Sequence, residues 1–141
     1  MTARELRTVW DAAVDEEIGP QLIRRGFSRV GRSWMHRSSD LGRVAEIGFE
    51  RTCLKGGLRV KCYSSVWIRD IRQDTFGRAV GTLAGDCPIW TVVVHQPEEI
   101  PTALRNAERH VFEVALPEVE QILESGRCDH PGVRISKLDE L

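Results

Sequence analysis

The run Val44-Ala45-Glu46-Ile47-Gly48-Phe49-Glu50-Arg51-Thr52-Cys53-Leu54-Lys55-Gly56-Gly57-Leu58-Arg59-Val60-Lys61-Cys62-Tyr63-Ser64-Ser65-Val66-Trp67-Ile68 decides how this chain folds. Apolar and polar residues alternate on both sides of a glycine pair, and successive side chains of a strand point to opposite faces. Gly56-Gly57 permits positive φ at both central positions of a two-residue turn. The run therefore reads as a β-hairpin, with one strand from Val44 to Arg51 and the next from Leu58 to Ile68. Turning on that pair sets Phe49 opposite Ser64, Ile47 opposite Val66 and Ala45 opposite Ile68, on one face with Cys53, Val60 and Cys62. On the other face Glu50 meets Tyr63, Thr52 meets Lys61 and Glu46 meets Trp67. One face is mainly apolar and the other mainly polar, the pattern of an antiparallel sheet with one buried side.

Working outward, Ser33 to Arg37 reads as a short strand and Ser38 to Gly42 as the turn that leads into the hairpin. Before it, Leu6, Val9, Trp10, Ala13, Val14, Ile18 and Leu22 recur at spacings of three and four, predicting a helix over about 3–25. Pro20 lacks a backbone donor, so a break is expected near Gly19-Pro20, and Gly26 supplies a left-handed stop. Beyond the hairpin, residues 69–88 are rich in Gly and Asp without sustained period and read as a long connection, with a helical turn near Thr75-Phe76. Ile89 to Val94 is β-branched and aromatic, hence a strand. Leu104, Ala107, Val111, Ala115, Val119 and Ile122 form the apolar stripe of a last helix starting at Pro97 or Thr102 and ending at Ser125, with a kink or restart at Pro117. The expected fold is α+β: an antiparallel sheet of four to five strands with N- and C-terminal helices packed on one face. Residues 1–126 form one domain and 127–141 an irregular tail.

The 141 residues fit one domain, and a chain of that size buries about 70% of its unfolded surface without needing a disulfide or a metal. The N-terminus carries Arg4 and Glu5 where a leader would be apolar, and no long uncharged apolar run follows. The expectation is a cytoplasmic protein that does not enter a membrane. Cys53, Cys62, Cys87 and Cys128 form no Cys-x-x-Cys pair and are expected as reduced thiols. Charge is unevenly spread: net −3 over residues 1–21, +8 over 22–72 and −6 over 73–141. A basic middle between acidic ends is the main compositional signal.

Gly26-Phe27-Ser28-Arg29-Val30-Gly31-Arg32-Ser33-Trp34, then Val44 to Glu50 and Leu58 to Trp67, carry a resemblance. A first helix ending in Gly-Phe, a basic glycine-containing stretch, an aromatic strand start and a hairpin are similar to the bacterial domain of unknown function 4304 family. The likeness covers Ile18 to Ile68 and departs after the second strand, where Glu50-Arg51 stands in place of a Gln-Ser pair. It implies the same α+β fold and no activity, cofactor or site residue.

Motifs of known chemistry are absent from the sequence. Gly77, Gly81 and Gly85 are followed by no Lys-Ser or Lys-Thr, and no Gly-x-Ser-x-Gly occurs. His36, His95, His110 and His130 are isolated from one another, and Asp70 and Asp74 or Cys128-Asp129-His130 offer only sequence neighbours. No catalytic, cofactor-binding or metal-binding residue is nominated, and no cofactor is expected. The outer hairpin face is more informative. Arg59, Lys61, Tyr63 and Trp67 alternate along one strand and share that face. Cations with interleaved aromatics suit an acidic protein partner and, less well given a pI near 6.4, a nucleic acid. Glu46 and Glu50 across the hairpin can instead balance those cations. The leading reading is a non-enzymatic binding module using this face. The alternative is a small enzyme or ligand binder with a pocket between the sheet and residues 69–88, lined by His36, Asp70 and His95.

Overall fold

The computed structural model describes residues 1–38, 43–73, 79–86, 89–125 and 135–137. The central hairpin joins β3 (Arg43–Leu54) to β4 (Gly57–Gln73) through twelve facing pairs. Its turn centres on Lys55-Gly56 rather than Gly56-Gly57, so Phe49 faces Cys62, Glu50 faces Lys61 and Gly48 faces Tyr63. Gly56 alone takes positive φ, at 80°. Gly57 opens β4 instead, where a Cβ would stand 3.0 Å from both His95 Nδ1 and the Val94 carbonyl oxygen. The register differs from the expected one by two residues. Because the side-chain period is also two, every residue keeps its expected face.

The sheet is antiparallel throughout, in the order β1 (Ser28–Val30), β2 (Ser33–Ser38), β3, β4, β5 (Ala79–Asp86), β7 (Ile135–Lys137). The remaining strand, β6 (Trp90–Val94), also pairs with β4. The segment read as a connection over 69–88 thus supplies the end of β4 and all of β5, and the stretch read as an irregular tail supplies β7. Glycines conceal the strand signal: Gly81 and Gly85 fall within β5, and a strand lined with glycine shows no hydrophobic alternation. The expected turns at 39–42 and Thr75-Phe76 lie outside the described residues.

The helices cover the face carrying Ala45, Ile47, Phe49, Leu58, Val60, Cys62 and Val66. Helix α1 (Ala3–Glu17) begins with the Thr2 hydroxyl accepting from the Glu5 N–H and buries Leu6, Trp10 and Val14. The chain breaks at Ile18, and α2 (Gly19–Arg24) restarts with Pro20 in its first turn, where a missing N–H costs nothing. Gly26 then takes φ 93° and ends it, as expected. Trp10 meets Phe49 edge-on at 5.9 Å and stacks with Trp90 at 6.5 Å, while Trp34 meets Phe49 edge-on at 6.4 Å. These rings tie α1 to three strands.

A single 3-10 turn (Pro97–Glu99) leads into α3 (Ile100–His110), then a π turn (Val111–Ala115), then α4 (Leu116–Ser125). The restart expected at Pro117 takes this form. A proline ring crowds the carbonyl four residues back, and the wider turn, in which the Leu116 N–H donates to the Val111 carbonyl, relieves the crowding. It also corrects phase. Buried Ala103, Ala107, Val111, Ala115, Val119 and Leu123 are spaced by four throughout, and that spacing drifts about 40° per step in an α-helix. Arg43 on β3 closes the far end, donating to the carbonyls of Leu123 (2.8 Å) and Glu124 (3.2 Å), where a helix dipole favours a cation.

One side of α1 is held by ions. Arg51 brings Nε and Nη2 to the two Asp11 carboxylate oxygens at 2.8 and 3.0 Å. Arg32 reaches Asp11 (3.3 Å) and Asp15 (3.4 Å), and Arg29 also pairs with Asp15 while its guanidinium lies 5.1 Å above the Trp34 ring. Two aspartates one helical turn apart thus anchor three arginines of the basic middle segment.

Candidate functional site

On the outer face of the sheet, the cross-strand row Ser33, Gly48, Tyr63 has a glycine at its centre. The missing Cβ matters: one built at Gly48 would stand 2.4 Å from Tyr63 Oη and 2.9 Å from Ser33 Oγ. Tyr63 therefore lies across Gly48, covering the backbone that glycine exposes, and its hydroxyl sits 2.9 Å from Ser33 Oγ. Both hydroxyls also lie within donating reach of Glu46 Oε1, at 3.1 Å from Ser33 and 3.2 Å from Tyr63. Burial pushes the Tyr63 pKa up to about 12; the Ser33 hydrogen bond works against this, and the Glu46 carboxylate adds to it. The phenol is thus a fixed, protonated group, unsuited to act as a base or nucleophile near neutral pH.

Beside this row the far edge of β4 changes partner. Cys62 pairs with Trp90 of β6, and Ser65 with Asp86 of β5, so the two ladders meet across Tyr63 and Ser64. A concavity of about 470 Å³ opens here, lined by Glu46, Glu50, Lys61, Tyr63, Trp67 and Ile89 among others. Such volumes are typical of small-ligand sites, which span about 300–1,000 Å³. Trp67 is half-buried and its Nε1–H donates to Ser65 Oγ at 3.0 Å, so the indole presents its ring rather than an unmet donor. Ile89 is 56% exposed, a large apolar side chain in the open at the rim.

Three of the four residues nominated from sequence, Lys61, Tyr63 and Trp67, line this concavity. Arg59 does not; it is exposed further along β4, between Thr52 and Val93. The sequence also missed Ser33, Gly48 and Ile89. A polar serine next to a buried tryptophan and a glycine inside a strand were the available signals, and both acquire meaning only once three strands are in register. The charge is more balanced than the alternation of Arg59 and Lys61 suggested. Glu50 faces Lys61 directly in the register, and Arg32 and Arg51, which also border the opening, are committed to Asp11 and Asp15.

Of the alternative pocket's residues, His36 and His95 are not brought together. His36 packs edge-on to Phe27 at 5.2 Å, beside Gly26. His95 stands at the hairpin turn, its Nδ1 3.2 Å from the Gly56 carbonyl oxygen. His36 faces Ala45, about 30 Å along β3 from that turn at 3.3 Å per residue. The side chain of Asp70, and Asp74, Cys87 and Cys128-Asp129-His130, lie outside the described residues. Among the described residues no three His, Cys, Asp or Glu side chains group as metal ligands, and no helix is long and apolar enough to cross a membrane. Cys53 is exposed and Cys62 buried, both as thiols. No family model, curated protein or solved structure matches the chain.

Proposed function

We propose that this chain is a non-enzymatic binding module that docks a protein partner on the outer face of its sheet. The observation that carries the reading is the concavity in which Trp67, Tyr63 and Lys61 converge beside exposed Ile89. An aromatic wall with a polar rim suits an inserted side chain from a partner, since buried aromatic anchors ringed by polar contacts dominate protein recognition. Lys61 and the outlying Arg59 offer a cationic contact to acidic groups of that partner, while Glu46 and Glu50 limit how much negative charge it can bring. The same balance leaves the nucleic-acid reading with less support, because phosphate binding needs uncompensated cations. The family likeness at Ile18 to Ile68 belongs to this proposal as well, supported by the Gly26 stop, buried Phe27 and Trp34, and the hairpin. We also propose a cytoplasmic setting, a reading that the thiol state of the described Cys53 and Cys62 supports.

The test has two steps. Quenching of Trp67 fluorescence by iodide and by caesium, read against Trp67→Phe, reports whether the ring is reachable and which ion its surroundings favour. Titration with a set of acidic peptides that carry one aromatic residue, and with a single-stranded oligonucleotide of equal charge, then identifies the partner class. We expect peptide binding that Trp67→Ala and Lys61→Glu each weaken. A Trp67 that neither quencher reaches, or peptide binding indifferent to both substitutions, would remove the proposal.

A further inference from the structure

A second concavity, of about 550 Å³, lies on the helical layer and has a different chemistry. Helix α2 brings Arg24 to its wall, with Arg25 next in the chain, and α3 brings Arg105 and Arg109 one turn apart on the same side. Like charges four residues apart on a helix repel each other, and here Glu108 and Glu113 stand three and four residues beyond Arg105 and Arg109 to offset part of that repulsion. Two carboxylates, Glu108 and Glu113, share the wall, which leaves four cations against two anions, a net of +2. Glu108 is already occupied, accepting from Gln21 Nε2 at 3.0 Å. Arg25 has Glu120 at 3.7 Å and Arg105 donates to Thr102 Oγ1 at 3.3 Å. Arg24 and Arg109 make no hydrogen bond or ion pair among the described residues. Phe112, held at the start of the π turn, adds a half-buried aromatic surface to the same wall.

We infer that this cleft binds a phosphate monoester, its dianion held between Arg24 and Arg109 and its organic group against Phe112. A phosphate monoester carries about −1.5 to −2 near neutral pH, which matches the two cations, Arg24 and Arg109, that have no ion pair among the described residues, whereas a lone carboxylate leaves one of them unmet. Guanidinium forks suit tetrahedral oxyanions because each can donate two parallel hydrogen bonds. The site is separate from the outer sheet face: its lining comes wholly from the helical layer and shares no residue with the Trp67 concavity.

The experiment is a titration of the full chain with inorganic phosphate, phenyl phosphate and benzoate at low ionic strength, followed by backbone amide NMR shifts. We expect saturable shifts confined to residues near 21–25 and 105–113, with phenyl phosphate binding more tightly than phosphate and benzoate most weakly. Arg24→Gln with Arg109→Gln should weaken phenyl phosphate about tenfold or more, while Lys55→Gln at the exposed hairpin turn should leave it unchanged. Arg24→Lys with Arg109→Lys keeps the charge but not the fork and should lie between. Both arginines are exposed, so the thermal midpoint of each variant should stay near that of the parent. Shifts that do not saturate, lysine variants that bind as well as the parent, or benzoate binding equal to phenyl phosphate would each overturn the assignment.

Discussion

Substituting Gly48 by alanine tests how the outer face is built, and the structure sets the size of the effect. The new Cβ would stand 2.4 Å from Tyr63 Oη and 2.6 Å from Cζ, well inside van der Waals contact. The ring must lift from the sheet, giving up Ser33 and Glu46 and entering water. The tyrosine pKa, pushed up to about 12 chiefly by burial, should then fall back toward the ordinary value of about 10. At pH 11 the ionised fraction would rise from roughly one-tenth to roughly nine-tenths. The assay is tyrosinate difference absorbance, with folding followed by circular dichroism at each pH, and Tyr63 is the only tyrosine in the chain. The sign for stability follows. Native Tyr63 holds its proton through the window from about 10 to 12 where the unfolded chain releases it, so stability present below about pH 10 is lost as pH rises through that window. In Gly48→Ala that extra alkaline loss should disappear, although the overlap itself lowers stability by about 1–3 kcal/mol. Ser33→Ala provides an opposite sign, because the Ser33 hydrogen bond lowers the pKa and its loss should not bring the midpoint down. A folded parent that titrates near 10, or a Gly48→Ala variant still at about 12, would refute the reasoning.

Two further substitutions probe the other face of the sheet. Asp11→Ala removes the shared partner of Arg51 and Arg32, both only partly exposed, and should cost about 2 kcal/mol by chemical denaturation, with Asp11→Asn in between. Ser64→Ala should be neutral or stabilising by about 1 kcal/mol in the same assay, since Ser64 Oγ is buried without a hydrogen-bond partner among the described residues.

The parts of the fold legible in the sequence are those where local chemistry and burial agree. Trp10 and Val14 of α1, Ile18 at the break and Leu22 of α2 are all buried, as their spacing implies. The hairpin faces were legible because alternation survives any even shift of register. The turn itself was not, since Gly56 and Gly57 look alike in sequence but only Gly56 meets a backbone demand, while Gly57 meets a packing demand from His95. Strand β5 was illegible because glycines erase period, and β7 because three residues are too few to show one. Of the outer-face site, Lys61, Tyr63 and Trp67 could be read from alternation along β4. Ser33 and Ile89 could not, because they come from elements distant in sequence. The arginine cleft likewise joins α2 to α3 across some eighty residues, and no local pattern marks that meeting.

The strand order has a kinetic consequence. From β1 to β5 every strand pairs with the one that precedes it in the chain, so each ladder forms by closing a connection of only a few residues. The entropy of closing a loop grows with its length, and sheets whose pairings are sequential reach their native arrangement sooner than those that must bring distant strands together. The β3–β4 hairpin, with twelve pairs around a two-residue turn, offers the most contact for the least closure. It is therefore the natural nucleus: substitutions there should slow folding, whereas those in β7, which joins β5 only after α3 and α4 have been laid down, should chiefly speed unfolding.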